Sequence, residues 1–158
     1  MEHLWAPWRN AYVTKKEPTP ADLFSQLAAS SDDAENFVLA RSKSCFAVLN
    51  RYPYNAGHTM VVPYREVVDL DELGDEELLD LWALVRKIKA AMAAKMTPQG
   101  YNIGINLGEA AGAGVAAHLH VHIVPRWAND ANFMTTTGGC RIHPSDLPKV
   151  YELLHEQL

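Results

Sequence analysis

Residues 118–127, HLHVHIVPRW, place three histidines at every second position, with apolar residues between them. Successive side chains of a β-strand point to opposite faces, so His118, His120 and His122 are predicted to share one face. One isolated histidine on a strand is most often an ordinary core or surface residue. Strict alternation of three of the chain's seven histidines favours a functional site instead.

The segments around this motif predict the remaining elements. Three β-rich runs precede it, and the first two are separated by the polar turn RSKS, which is typical of a hairpin; they cover 36–40, 45–50 and 58–63. Acidic residues followed by apolar residues at helical spacing predict a long helix over 75–96. A short helix is expected near 21–29, a fourth strand at YNIGIN after Gly100, and a last helix beginning at Ser145 or Asp146.

These elements predict an α+β fold for a single domain covering residues 1–158. Its core is a five-stranded, mainly antiparallel sheet, with the long helix between strands three and four and the other helix at the C-terminus. Residues 1–20, which contain three prolines, are expected to be irregular.

Composition limits the class of protein. The chain has 158 residues, a formal net charge of −5 and a pI near 5.8, which argues against a general binder of nucleic acids or anionic membranes. Two cysteines, Cys45 and Cys140, fit free thiols in a reducing compartment better than a disulfide scaffold. The N-terminus has no apolar run of signal-peptide length, and no stretch approaches a membrane span. A cytoplasmic protein is the simplest expectation.

Metal binding is one use for such a row of histidines. However, the first and last of three alternating residues on a strand are about 13 Å apart, whereas Zn–N bonds are about 2 Å long. A single ion could therefore take two of these rings but not all three, and no HExxH or CxxC motif supplies further ligands. A row of imidazoles suits an extended anionic substrate better, with one ring attacking while its neighbours bind charge and move protons.

The segment GEAAGAGVAA, residues 108–117, lies immediately before the histidines. Three glycines among small residues could form only a tight turn. They also suit a loop whose backbone amides approach a phosphate, because glycine combines conformational freedom with lack of bulk. We therefore expect amides near Gly112 and Gly114 to bind phosphate.

The chain resembles the histidine-triad (HIT) superfamily, and within it the fragile-histidine-triad-type branch that acts on dinucleoside polyphosphates. The resemblance rests on HLHVHIVPRW, on LNRYPYNAGHTMVVP (49–63), and on WAPWR and NFM near positions 5 and 132. It implies a homodimer and a nucleophilic histidine that attacks the α-phosphate of a nucleotide. Water then releases a mononucleotide, or phosphate does so in the phosphorylase relatives.

The resemblance also implies roles for individual residues. His120 matches the nucleophile, flanked by His118, whose backbone fixes the His120 tautomer, and by His122, which with His58 is expected to supply a proton to the departing polyphosphate. Asn50 matches a ribose-binding position and Asn106 a polar position beside the phosphates. The apolar walls of the base pocket match Leu23, Phe24, Leu27 and Val48. Trp5, Trp8 and Arg9 also match the family, without an assigned role.

Two departures from the family pattern affect the expectations. Many relatives have C-x-x-C, half of a structural zinc site, where this chain has Asp22 and Ser25, so no structural metal is expected. A divalent cation such as Mg²⁺ is expected only as a companion of the polyphosphate. Many relatives also have Gln-Ser or Gln-Thr where this chain has Gly114 and Val115. Loss of one such donor can cost roughly 3 kcal/mol, and loop amides are expected to replace it.

The resulting hypothesis is a nucleotide hydrolase or transferase that cleaves dinucleoside polyphosphates, diadenosine tetraphosphate for preference. A phosphorylase is the alternative within the enzyme class. A nucleotide-binding regulatory module with vestigial activity, and a metal-binding protein, are alternatives outside it. The sequence leaves open the phosphate-chain length, the base preference and the acceptor.

Overall fold

The strands form one five-stranded sheet in which every neighbouring pair is antiparallel. The computed structural model describes residues 22–128, 130 and 146–158. The strands are β1 (Val38–Arg41), β2 (Cys45–Leu49), β3 (Thr59–Pro63), β4 (Gly100–Ile105) and β5 (Val121–Arg126), in the spatial order β1-β2-β3-β5-β4. The α+β fold predicted from the sequence is confirmed, and β4 lies at an edge of the sheet.

The helices are α1 (Leu23–Ala29), α2 (Asp33–Asn36), α3 (Asp75–Met96) and α4 (Leu147–His155), together with 3-10 turns at Leu70–Glu72 and Glu109–Ala111. The predicted bounds of the long helix α3 are confirmed. Its first turn is stabilised because the Glu77 carboxylate accepts the Gly74 N–H at 3.0 Å. At the other end, Thr97 adopts a left-handed φ of 46° and Pro98 follows, so the helix cannot continue.

Alternation along the strands divides the buried side chains between two faces of the sheet. The helix face packs against α3 and α4, and its strand residues include Leu39, Cys45, Ala47, Leu49, Val61, Val121 and Ile123. The opposite face is here called the site face. It carries a smaller apolar cluster, in which Phe24 of α1 packs against strand residues Val38, Phe46, Val48, Met60 and Val62. His122 pairs with Met60 and therefore belongs to the site face.

The prediction that residues 118–120 belong to the fifth strand is wrong, because β5 begins at Val121. A ladder continued toward His118 would run along the end of β3, where Pro63 has no N–H to donate. The Pro63 carbonyl instead contacts the His118 ring, at 2.9 Å, and the Leu119 N–H donates to Val67 at 2.7 Å. Side-chain and loop hydrogen bonds thus replace strand pairing where the histidines begin.

Several sequence expectations lie outside the described residues. They are the irregular segment 1–20, with Trp5, Trp8 and Arg9, the NFM stretch and Cys140. Within the described ranges, no helix is both long enough and apolar enough to cross a membrane.

Candidate active site

Four histidines meet on the site face of the sheet. The ring centroids of His120 and His122 are 4.7 Å apart, and those of His58 and His122 are 5.1 Å apart. Phe24 of α1 closes the other side, with its ring centroid 5.5 Å from His118 and 5.1 Å from His120. The structure therefore brings together all four histidines singled out from the sequence, although only His122 lies within a strand.

The proton of the neutral His120 ring is placed by the backbone. His120 Nδ1 lies 2.8 Å from the His118 carbonyl oxygen. A carbonyl can only accept a hydrogen bond, so Nδ1 carries the hydrogen and Nε2 keeps its lone pair. Burial lowers the pKa of His120, opposed in part by this hydrogen bond, which favours the neutral ring. His120 therefore presents a basic nitrogen that can act as a nucleophile.

His118 is fully buried and supports that arrangement. Its Nε2 lies 2.9 Å from the Pro63 carbonyl oxygen, to which it must donate. This contact joins the segment before β5 to the end of β3. Because the same residue supplies the carbonyl that accepts from His120, fixing His118 also fixes the direction of the His120 ring.

His122 has the opposite proton arrangement. The Tyr54 backbone N–H donates to His58 Nδ1 at 3.1 Å, so a neutral His58 carries its hydrogen on Nε2. That nitrogen lies 2.9 Å from His122 Nδ1, which must accept, leaving the His122 hydrogen on Nε2. Among the described residues, His122 Nε2 has no hydrogen-bond partner although it is buried. It is a donor available to a ligand.

Burial, with a smaller contribution from the neighbouring His120, lowers the pKa of His122 from 6.5 to about 4. His122 is therefore neutral near pH 7. The site thus combines one imidazole that can attack with one that can donate a hydrogen bond, both uncharged.

The predicted base-pocket residues are distributed around α1 and β2. Phe24 and Val48 are buried in the site-face cluster, and Leu27 is partly buried against it. Leu23 is half-buried at the start of α1. Of these four residues, Phe24 contacts the rings of His118 and His120, and the assignment of the others to a base pocket stays a prediction.

Arg41 was not predicted from the sequence, yet it holds α1 in place. Its guanidinium donates to the carbonyls of Leu27, Ala28 and Ser30 and to the Asp33 carboxylate, at 2.7 to 3.2 Å. The carbonyls belong to the end of α1, where backbone acceptors are otherwise left without helical partners. An arginine at the end of a strand has no sequence signature for this function, because its partners become neighbours only on folding.

Asn50 follows β2, next to the histidines. Its backbone N–H donates to the His58 carbonyl at 2.8 Å, and its side-chain oxygen accepts the Tyr52 N–H at 2.9 Å. The turn thereby orients the side chain, and its Nδ2 amide is the part that can donate to a ligand hydroxyl.

The glycine-rich loop and Asn106 lie at the end of β4. Asn106 is half-buried directly after the strand, and Gly112 has a φ of 85° that favours glycine. Gly114 is exposed, whereas Val115 packs against the site-face cluster.

Sequence reasoning missed Gly104, which pairs with His122 and lies on the same face. A Cβ at Gly104 would meet nothing within 4 Å, so the sheet is open beside the His122 ring.

The residues at the lost zinc positions do not fit a structural zinc site. The Asp22 carboxylate accepts from Gln26 at 2.9 Å, and the Ser25 hydroxyl donates to Glu66 at 3.4 Å. Among the described residues, no group of three or more His, Cys, Asp or Glu side chains is arranged to hold a metal ion.

Comparisons with known proteins identify the relatives of this chain. Residues 31–129 match the HIT domain. An AP-4-A phosphorylase of Mycobacterium tuberculosis is 44% identical over 162 aligned positions, which cover 98% of this chain and 83% of that protein. An asymmetrical bis(5'-nucleosyl)-tetraphosphatase of Schizosaccharomyces pombe is 39% identical, over 64% of this chain and 55% of its own length. A Zn-bound histidine triad family protein from Mycobacterium smegmatis has a similar structure, with a TM-score of 0.68 at 28% identity over 85% of this chain and 91% of that one.

Proposed function

The chain belongs to the HIT family and is one of its nucleotide hydrolases or transferases, and from this premise we propose that it cleaves diadenosine tetraphosphate through a nucleotidyl-histidine intermediate on His120. The observation that carries the proposal is the pair of opposite tautomers. The contacts of the two Nδ1 atoms leave a lone pair on His120 Nε2 and a hydrogen on His122 Nε2, and the two ring centroids are 4.7 Å apart.

In the first step, His120 Nε2 attacks the α-phosphorus. A P–N bond forms, the bond from phosphorus to the bridging oxygen breaks, and its electron pair leaves with ATP. The departing oxygen accepts a hydrogen bond from His122 Nε2. The nucleotidyl-imidazole keeps its hydrogen on Nδ1, so it is cationic, and the His118 carbonyl stabilises that charge at 2.8 Å. This covalent route divides one difficult step into two easier ones.

Other residues bind the parts of the substrate that do not react. Loop amides near Gly112 and Gly114, with Asn106, bind non-bridging phosphate oxygens, and they replace the side-chain donors of relatives. Asn50 donates to a ribose hydroxyl. The base lies against the walls formed by Phe24, Leu23, Leu27 and Val48. Apolar packing of this kind contributes affinity without selecting strongly among purines.

The acceptor in the second step is inorganic phosphate. The support is the M. tuberculosis relative, which is called an AP-4-A phosphorylase and aligns with 98% of this chain. Phosphate attacks the intermediate, the P–N bond breaks, and ADP leaves with His120 regenerated.

The test is turnover of diadenosine tetraphosphate with and without added phosphate, with every nucleotide product identified. We expect ATP and ADP, with turnover that requires phosphate. ATP and AMP at an equal rate without phosphate would show that water is the acceptor, as expected of a hydrolase. No turnover under either condition, despite nucleotide binding, would favour a regulatory binding module.

The proposed assembly is a homodimer. β4 is an edge strand, and an unpaired edge is commonly covered by a partner across a two-fold axis. Ile103 on β4 is 38% exposed, and Leu79 and Trp82 on α3 are 73% and 44% exposed, so both elements present apolar surface. We expect light scattering at micromolar concentration to give a dimer mass, and Trp82→Glu to weaken the dimer more than Val68→Glu. A wild-type monomer mass would contradict the proposal.

The proposed metal requirement is limited to the substrate. Mg²⁺ accompanies the polyphosphate, because the chain phosphates carry several negative charges. No structural zinc is proposed, since Asp22 and Ser25 replace two thiolate ligands of relatives. We expect the melting temperature to be unchanged by a strong chelator. Stoichiometric zinc in the purified protein, lost together with stability on chelation, would contradict this.

A further inference from the structure

The turn before His58 is held to the far end of β5 by one buried side chain. Asn55 is 7% exposed, and its amide donates to the Pro125 carbonyl at 3.0 Å and to the Asp130 carboxylate at 2.9 Å. Its side-chain oxygen lies 3.2 Å from the Ala56 N–H. Because the amide nitrogen and the side-chain oxygen both have hydrogen-bond partners, this buried group cannot rotate or shift without leaving polar groups unpaired.

The anchored turn has a defined geometry. The His58 N–H donates to the Asn55 carbonyl at 3.1 Å, and Gly57 between them has a φ of 77°, as position three of a type II turn requires. A Cβ at Gly57 would lie 2.9 Å from Met96 Sδ and 3.3 Å from Pro125, so the turn also lies tightly against its surroundings. These contacts fix the backbone immediately before His58.

The same turn directs a donor at the His58 ring. Tyr54, the residue before Asn55, donates its backbone N–H to His58 Nδ1 at 3.1 Å, and its ring stacks on His58 with centroids 4.6 Å apart. A nitrogen that accepts this hydrogen bond cannot carry a proton. The position of the Tyr54 amide therefore decides which His58 nitrogen is protonated.

We propose that Asn55 is a positioning residue that sets the tautomer of the leaving-group histidines. It holds the turn so that the Tyr54 amide keeps the proton of His58 on Nε2. His58 then donates to His122 Nδ1, which keeps the His122 hydrogen on Nε2, facing the site. This inference rests on the proposed function for its catalytic consequence, whereas the tautomers are a property of the free protein.

A structural role alone would not predict this consequence. If Asn55 only stabilised the fold, its loss would lower the melting temperature and leave the ring tautomers unchanged. If it positions the Tyr54 amide, its loss frees His58 to exchange between tautomers, and the His122 donor is then present for only part of the time.

The experiment is ¹⁵N nuclear magnetic resonance of the histidine rings, which separates Nδ1–H from Nε2–H, combined with steady-state turnover of diadenosine tetraphosphate. In the wild-type protein we expect His58 and His122 protonated on Nε2 and His120 on Nδ1. In Asn55→Ala we expect mixed tautomers at His58 and a fall of about tenfold in kcat/KM, less than the loss of a whole donor. The matched control is Asn102→Ala, because Asn102 accepts from Arg126 at 2.7 Å in the same polar cluster without contacting the turn. We expect it to change neither readout.

A wild-type His58 protonated on Nδ1, or a folded Asn55→Ala protein with the wild-type tautomers, would overturn the proposal. If Asn55→Ala does not fold, Asn55→Ser provides a milder test, because its neutral hydroxyl can keep at most one of the two hydrogen bonds to Pro125 and Asp130. Absence of turnover in the wild type would count against the proposed function alone, since the ring spectra are recorded without substrate.

Discussion

His120 and His122, whose ring centroids are 4.7 Å apart, are fixed in different ways. His120 is set by its own segment, through the carbonyl two residues earlier. His122 is set by His58, which lies 64 residues away in the sequence, and His58 is set in turn by the Tyr54 amide. The local contact puts a lone pair on Nε2 of His120, and the distant one puts a hydrogen on Nε2 of His122. His120 and His122 thus have complementary chemistry because their Nδ1 atoms meet different partners, an acceptor at His120 and a donor at His122.

The largest expected effect is on the nucleophile side. His120→Ala removes the attacking nitrogen, and we expect turnover of diadenosine tetraphosphate to fall by at least about 10³-fold. Nucleotide binding, measured by calorimetry, should change little because Asn50 and the apolar pocket remain. Near-normal turnover of a folded His120→Ala protein would remove the basis for assigning attack to this residue.

A smaller loss is expected on the leaving-group side. His122→Ala deletes one donor to the departing oxygen, and we expect kcat to fall by about 10²-fold. His122→Gln keeps an N–H donor but cannot transfer a proton as an acid, so it should recover most of that loss. Equal losses in the alanine and glutamine variants would show that His122 transfers a proton rather than donating a hydrogen bond.

The difference between local and distant contacts also explains which features could be predicted from the sequence. Runs of β-favouring residues located the strands, and the helical period located α3, because these patterns depend on neighbours in the chain. Three histidines in alternation likewise indicated a shared site. The start of β5 was mispredicted because it depends on Pro63 and Val67, which meet the histidine segment only after folding.

Long-range polar contacts were invisible for the same reason. Arg41 holds the end of α1 through three carbonyls, and Asn55 reaches Pro125 across 70 residues of sequence. Neither the residue type nor its spacing in the sequence predicts such contacts. Sequence reasoning therefore singled out the four histidines and missed Arg41 and Asn55, which hold the elements around them.

The pH dependence of the first step sharpens the comparison, because both rings must be neutral. Burial and the nearby His120 lower the pKa of His122 from 6.5 to about 4, and burial lowers the pKa of His120. Protonation of either ring, and loss of activity, should therefore occur only as the pH falls below 6.5. We expect kcat/KM for diadenosine tetraphosphate to stay constant from about pH 8 to below about pH 6.5.

Phe24→Ala tests whether burial is what lowers the pKa of His120. It exposes the buried side of His120, from which the Phe24 ring centroid is 5.1 Å away, so the acidic limb should move up toward the ordinary histidine value. A wild-type limb at or above 6.5 would be incompatible with two neutral buried imidazoles.

The smallest expected effect concerns the glycine-rich loop, which is proposed to bind the phosphates. Val115→Thr keeps the shape of the side chain and restores a hydroxyl of the kind that relatives carry. We expect kcat to change by less than about threefold, because the loop amides and His122 are proposed to supply the donors already. A much larger gain would mean that this chain lacks a donor that it needs.

The most direct test of opposite tautomers is to trap the intermediate that they are proposed to produce. Wild-type protein is mixed with diadenosine tetraphosphate labelled at the α-phosphates, without inorganic phosphate. It is then denatured and digested at alkaline pH, where a P–N bond to histidine is stable, and the labelled peptide is mapped by mass spectrometry. The account predicts an acid-labile adenylyl group on His120 Nε2, released as ADP when phosphate is added before denaturation. Label on another residue, or turnover without any covalent label under rapid quenching, would contradict it.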